Sequence, residues 1–169
     1  LIYETGDVRV LEGGRWSSVS LPASRREAVS LVFADSRGDL WFASAGGIHL
    51  FRGSLSRWTS LRHPFPDARN RINGILPRPD GTLWLATGDG LMRLRDGRAE
   101  EWVRTIQGTV LGGVTGLAAD SSGGIWITSG SAFEGAFRWS EEGWARVGPS
   151  EGLDVGFVHR VVTASDGAL

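Results

Sequence analysis

The sequence predicts an all-β protein of β-propeller blades, each built from four antiparallel strands. Three observations carry the expectation. Seven of the eight tryptophans fall on two phases of one repeat. Trp41, Trp84 and Trp126 are spaced by 43 and 42 residues, and Trp16, Trp58, Trp102 and Trp144 by 42, 44 and 42. An Asp/Ser/Gly cluster precedes each member of the first set, and no convincing amphipathic helical pattern occurs anywhere. A bulky residue recurring at a fixed period marks stacked copies of one supersecondary unit, and a period of roughly 43 residues suits a propeller blade.

The elements follow in order within each copy. The first strand is apolar on both faces, as suits a strand sandwiched between neighbouring sheets: residues Val29 to Ala34, Ile72 to Pro77, Val114 to Ala119 and Val158 to Thr163. The turn after it reads Asp35-Ser36-Arg37-Gly38, Arg78-Pro79-Asp80-Gly81, Asp120-Ser121-Ser122-Gly123 and Ser165-Asp166-Gly167. Here Gly supplies positive φ and Asp bonds nearby backbone. A β-rich strand with the first-phase Trp comes next. A second glycine turn, such as Gly46-Gly47 or Gly88-Asp89-Gly90, leads to a third strand such as Ile48 to Phe51 or Leu91 to Leu94. A third turn (Glu12-Gly13-Gly14, Arg95-Asp96-Gly97, Glu141-Glu142-Gly143) precedes the strand with the second-phase Trp. Both Trp phases are expected to be core wedges between sheets that cannot bury both faces alone. Trp139 lies outside both phases.

The segment 1–169 divides into a partial first blade 1–28, blades 29–71, 72–113 and 114–157, and the start of a further blade 158–169. Leu1 aligns with the Trp position and Leu169 with the residue before it, so four blades would be able to close into a small ring. The expectation is instead an arc of a larger propeller, because the sequence starts without Met and stops within a motif.

Composition narrows the functional classes. Eighteen basic residues balance 19 acidic ones, which disfavours nucleic acid or an anionic membrane as a partner. Cysteine is absent, excluding disulfides, thiol catalysis and thiolate metal sites in this segment. No run of 18 apolar residues exists to span a membrane.

The pattern Asp-x-x-Gly-x-Leu-Trp-x-x-[Ser/Thr]-x-x-Gly-[Ile/Leu] resembles the two-component regulator propeller repeat. Asp35 to Ile48 and Arg78 to Leu91 carry it best, and Asp120 to Ser129 carries its first half. Copy two departs with Arg78 at the leading Asp, and copy three with the insertion Gly130 to Gly135. The resemblance implies a sensor propeller on the periplasmic or extracytoplasmic side of a bacterial signalling protein. It implies a kinase or cyclase output domain outside this segment, and a small-molecule ligand of a family whose ligands include carbohydrates.

Function is expected on the longer, variable loops of the top face. One aligned position, Ser30, Asn73, Thr115 and His159, is polar within otherwise apolar strands and would form a ring of donors and acceptors. The bland alternative is hydrogen bonding to neighbouring backbone. An arginine cluster over residues 25–71 places Arg26, Arg69 and Arg71, with Arg25, Arg62 and His63, on predicted top loops. Forked guanidinium bonds there would suit an anionic or hydroxyl-rich ligand. No catalytic residue, metal site or cofactor is expected. His49, His63 and His159 have no metal-ligand spacing, and no nucleophile elbow or phosphate loop occurs. Two alternatives stay open. One is a protein-interaction scaffold. The other is an enzyme similar to streptogramin (virginiamycin B) lyases, with His159 and Glu134 or Glu151 in acid–base roles beside Mg²⁺.

Overall fold

The computed structural model describes residues 2–4, 7–20, 29–35, 37–44, 47–52, 57–62, 71–154, 156–164 and 166–169. The chain forms two compact units, Leu1–Ala68 and Arg69–Leu169.

The first unit carries two antiparallel sheets. One has three strands in the order β1 (Ile2–Glu4), β2 (Asp7–Glu12) and β3 (Arg15–Ser20). The other has four, β4 (Val29–Ala34), β5 (Leu40–Ser44), β6 (Gly47–Arg52) and β7 (Arg57–Arg62), again in sequence order. Val8 from the first sheet packs with Val29, Leu40 and Phe42 of the second, and Val10, Val19, Phe51 and Trp58 close around them. Trp58 lies 5.3 Å from Phe42 and 4.9 Å from Phe51 between ring centres. His49 is buried, with Ser60 Oγ 2.8 Å from Nδ1 and Ser44 Oγ 3.2 Å from Nε2, so its role is structural.

The second unit repeats the four-stranded plan twice. β8 (Ile72–Pro77), β9 (Thr82–Thr87), β10 (Gly90–Arg95) and β11 (Arg98–Val103) form one meander. A two-stranded hairpin, β12 (Thr105–Ile106) and β13 (Thr109–Val110), follows. β14 (Gly116–Ala119), β15 (Ile125–Thr128), β16 (Ala136–Ser140) and β17 (Gly143–Val147) form the second meander. A type I′ hairpin turn has positive φ at both central residues, which matches strand twist, and Asp96–Gly97 and Gln107–Gly108 have it. Trp84, Ala86 and Leu91 of one sheet pack on Ile125, Ile127 and Phe137 of the other, with Ile106, Leu111 and Phe133 sealing the loop side.

The repeat register is visible in the backbone. Gly38, Gly81, Gly123 and Gly167 take φ between 78 and 87°. Each donates its N–H to the carbonyl three residues earlier, from Asp35, Arg78, Asp120 and Ala164 respectively.

Three expectations need correction. Val114 and Thr115 are not strand residues, because they divide their bonds between two sheets: Val114 N–H goes to Thr87 and Thr115 N–H to Thr128. Residues 158–163 lie beside β14 but form no ladder, since only isolated contacts hold them there, such as Thr163 Oγ1 to the Ala119 carbonyl at 2.6 Å. The Trp phases are not uniformly wedges. Trp41 and Trp84 are buried and Trp126 half-buried, whereas Trp16 is 52% exposed and Trp102 and Trp144 half-buried.

Candidate functional site

Antiparallel register gives each sheet two ends. In the sheet β8–β11, Ile72, Thr87, Gly90 and Val103 mark the loop end, and Pro77, Thr82, Arg95 and Arg98 mark the turn end.

The polar position singled out in the sequence sits at the loop end, on a β-bulge. In β4 the register skips from Val29 to Leu31 opposite β5, which makes Ser30 the extra residue. In β8 it skips from Ile72 to Gly74 opposite β9, and Asn73 is the extra residue. A bulged residue leaves the ladder and its side chain is re-aimed. Ser30 Oγ donates to the Ala43 carbonyl of its own sheet at 3.2 Å. Asn73 Nδ2 crosses to the neighbouring sheet and donates to the Val114 carbonyl at 2.9 Å. Thr115 Oγ1 repeats the crossing one step on, donating to the His159 carbonyl at 2.7 Å while accepting the Gly130 N–H at 3.1 Å. Asn73, Thr115 and His159 therefore form one row, in which the Asn73 and Thr115 side chains each bond to the next segment's backbone and the His159 carbonyl receives the second of these bonds. This is the backbone-bonding alternative foreseen for the position. His159 is exposed, and its imidazole lies against Gly130, where an added Cβ would collide with the ring.

Loops converge around this row. The Gly130 to Gly135 insertion is ordered from within: Ser129 Oγ accepts the Ala132 N–H at 2.9 Å, and Phe133 turns into the core 5.2 Å from Phe137. Gly135 N–H reaches the Gly156 carbonyl at 2.8 Å. Nearby, Arg104 stacks 3.6 Å above the Trp102 ring, Asp89 holds Arg104 Nε at 3.0 Å, and the Trp102 indole donates to the Asp89 carbonyl at 2.8 Å. A sequence reading had no signal for this trio beyond the Trp phase. Arg71 is exposed at the same end, its carbonyl accepting the Gly88 N–H. Arg25, Arg26, His63 and Arg69 lie outside the described residues, as does the Arg62 side chain.

Glu151 is held locally: its carboxylate accepts the Ser150 hydroxyl at 2.7 Å and the Gly148 N–H at 2.8 Å, and these bonds lower its pKa. Among the described residues, neither Glu134 nor Glu151 bonds to His159, and no three His, Asp or Glu side chains cluster to hold a metal.

At the turn end, Asp120 is a hub. Oδ1 accepts the Gly124 N–H at 2.7 Å, with Ser122 N–H and hydroxyl; Oδ2 accepts the Trp126 indole at 2.9 Å and Arg138 Nε at 2.7 Å. Burial opposes its charge, but the bonds from Arg138, Ser122, Trp126 and Gly124 outweigh that and hold its carboxyl far below the usual range. Asp35 works alike for Trp41 at 3.1 Å. In the second copy Arg78 occupies that place and reaches across to the Gly123 carbonyl at 2.8 Å. The turn carboxylate there is Asp80, whose pKa the Thr82 hydroxyl and then its N–H lower.

No protein-family model and no curated protein matches the chain. Among solved structures, virginiamycin B lyase from Staphylococcus aureus superposes with a TM-score of 0.65, covering 96% of this chain and 55% of the lyase at 18% identity. The extracellular domains of two hybrid two component systems from B. thetaiotaomicron superpose at TM-scores of 0.63 and 0.59 and identities of 19% and 16%. These cover 96% and 97% of this chain but 22% and 20% of theirs. Joined to the four-stranded meanders, the likeness decides the architecture. The fold is a β-propeller. Its blades are the meanders β4–β7, β8–β11 and β14–β17. At such identities the likeness extends to the fold alone. The chain spans about half the length of the lyase, at 55%, and about a fifth of the sensor domains, at 22% and 20%.

No helix among the described residues is long and apolar enough to cross a membrane.

Proposed function

We propose that this chain is the ligand-binding part of a sensor propeller on the extracytoplasmic side of a bacterial signal-transduction protein. The ligand is a small hydroxyl-rich or anionic molecule, with carbohydrate the leading class. It contacts the loop end of the second unit's blades through the exposed Arg71 and His159, beside Asn73 and Thr115. A kinase or cyclase elsewhere in the protein reads the result, and the segment itself does no catalysis.

One observation carries this reading. Asn73 and Thr115 each cross to the next segment's backbone at the end where the variable loops gather. A ligand bridging those loops would bear on the joints between blades. It biases the output only to the extent that it binds one blade arrangement better than the other. The repeat resemblance and the likeness to extracellular sensor domains support the setting.

The test is a saccharide panel titrated by thermal shift and calorimetry against the protein and its Arg71→Ala and His159→Ala variants. Both residues are exposed, so folding is expected to survive. A saccharide bound about tenfold more weakly by either variant supports the assignment. Equal affinity in both variants removes the loop end as its site.

A further inference from the structure

The turn end of the second unit holds an open groove of about 670 Å³ between the blades β8–β11 and β14–β17. The volume falls within the range of small-molecule sites, about 300–1,000 Å³. We infer that this groove is a second binding site, for a neutral saccharide chain, distinct from the loop end and independent of the proposal made for it.

Its walls follow from strand register. Trp84 on β9 stands opposite Arg93 on β10, so both project from one face toward the neighbouring blade. Trp139 on β16 stands opposite Ile125 and Trp144 and projects back. The indoles of Trp84 and Trp139 meet at 5.9 Å. Trp84 is buried and Trp139 only half-buried, so Trp139 is the indole within reach of a ligand. This gives a role to the one tryptophan outside the two repeat phases.

The polar groups suit hydroxyls rather than an ion. Arg93 lies 5.6 Å over Trp84, and Arg138 is pinned by Asp120 and by the Ser122 hydroxyl at 2.7 Å. Both guanidinium groups are thus fixed in place before any ligand arrives. Glu141 and Glu142 line the same groove, are exposed, and among the described residues their carboxylates make no hydrogen bond or ion pair. Acceptor carboxylates beside fixed guanidinium donors match the alternating donors and acceptors of a vicinal diol. Asp120 already offsets Arg138, and Glu100 and Glu101 offset Arg93, so with Glu141 and Glu142 beside them the groove offers no surplus positive charge to reward an anion. An indole beside such groups supplies the flat apolar face of a sugar ring with a partner.

The experiment titrates the protein with maltotriose, cellotriose and xylotriose, reading tryptophan fluorescence and ligand-observed NMR. A sulfated disaccharide is the anionic comparison. Saturable millimolar binding of at least one neutral trisaccharide is expected. It should weaken about tenfold in the Glu141→Gln/Glu142→Gln double variant, whose exposed positions leave the fold intact. Trp139→Phe should abolish the fluorescence response, with circular dichroism checking folding. Absence of saturable binding by all three trisaccharides overturns the inference. So does unchanged affinity in the double variant, or a preference for the sulfated sugar. Loss of binding in His159→Ala but not in the double variant would move the sugar to the loop end, overturning this inference while supporting the other.

Discussion

The indole N–H of Trp126 points at the carboxylate of Asp120, six residues earlier, at 2.9 Å, and Arg138 Nε meets the same oxygen at 2.7 Å. One side chain thereby fixes the turn, the Trp rotamer and a third strand. Removing it leaves a guanidinium and an indole without their acceptor. Asp120→Ala is expected to cost about 2–3 kcal/mol, the scale for losing charge-assisted hydrogen bonds at a partly buried site. Urea denaturation would measure it, and a loss below about 1 kcal/mol would show that solvent replaces the carboxylate.

The same residue predicts an acid limb. Its pKa is lowered on folding, so its stabilisation is complete above the ordinary carboxylate value, near pH 4. The contribution declines as pH falls from there toward the lowered value. Asp120→Asn should therefore narrow its stability gap from the parent as the pH drops below about 4. Parallel stability curves for the two proteins down to about pH 2 would contradict this.

Burial separates two tryptophans that the repeat treats as equivalent wedges. Trp84 is 3% exposed and Trp16 52%. Trp84→Ala should cost about 3–5 kcal/mol, and Trp16→Ala less than about 1 kcal/mol. Thermal unfolding of the pair gives the comparison, and comparable losses would refute the wedge assignment of Trp84.

Arg78 links adjacent blades through the Gly123 carbonyl at 2.8 Å. Arg78→Ala should cost about 1–2 kcal/mol and raise hydrogen exchange along β14 and β15 more than along β5 and β6. Uniform exchange across the chain would show that the bond does not act at the joint.

Gly130 has room for no side chain beside His159. Gly130→Ala should displace the imidazole, visible as a shifted histidine NMR signal, with any loop-end ligand weakened. An unmoved signal would mean that the loop, not the ring, gives way.

The blade plan was legible because it is written in local chemistry: Gly at positive φ, acids that bond turn N–H groups, and apolar strands between them. The strands Val29–Ala34 and Ile72–Pro77 agree residue for residue. Burial of the second Trp phase was not legible, because it depends on what lies beside each outer strand. The polar position at Ser30, Asn73 and Thr115 stood out, but its bulge did not, since a bulge exists only relative to a partner strand. Arg78 reads as a lapse in the repeat. In space the acid has moved two places, to Asp80, and Asp166 shows the same arrangement, accepting the Ala168 N–H at 3.0 Å. The groove at Trp139 needs two blades side by side, which no single copy of the repeat encodes.

Asn73 and Thr115 reach a main-chain carbonyl in the next segment, and a carbonyl is present whatever residue carries it. The joint is therefore blind to the identity of its neighbour. A gene encoding such units can duplicate, lose or exchange them without having to re-evolve a matching partner at each seam. Diversity can then accumulate in the loops while the connector stays generic.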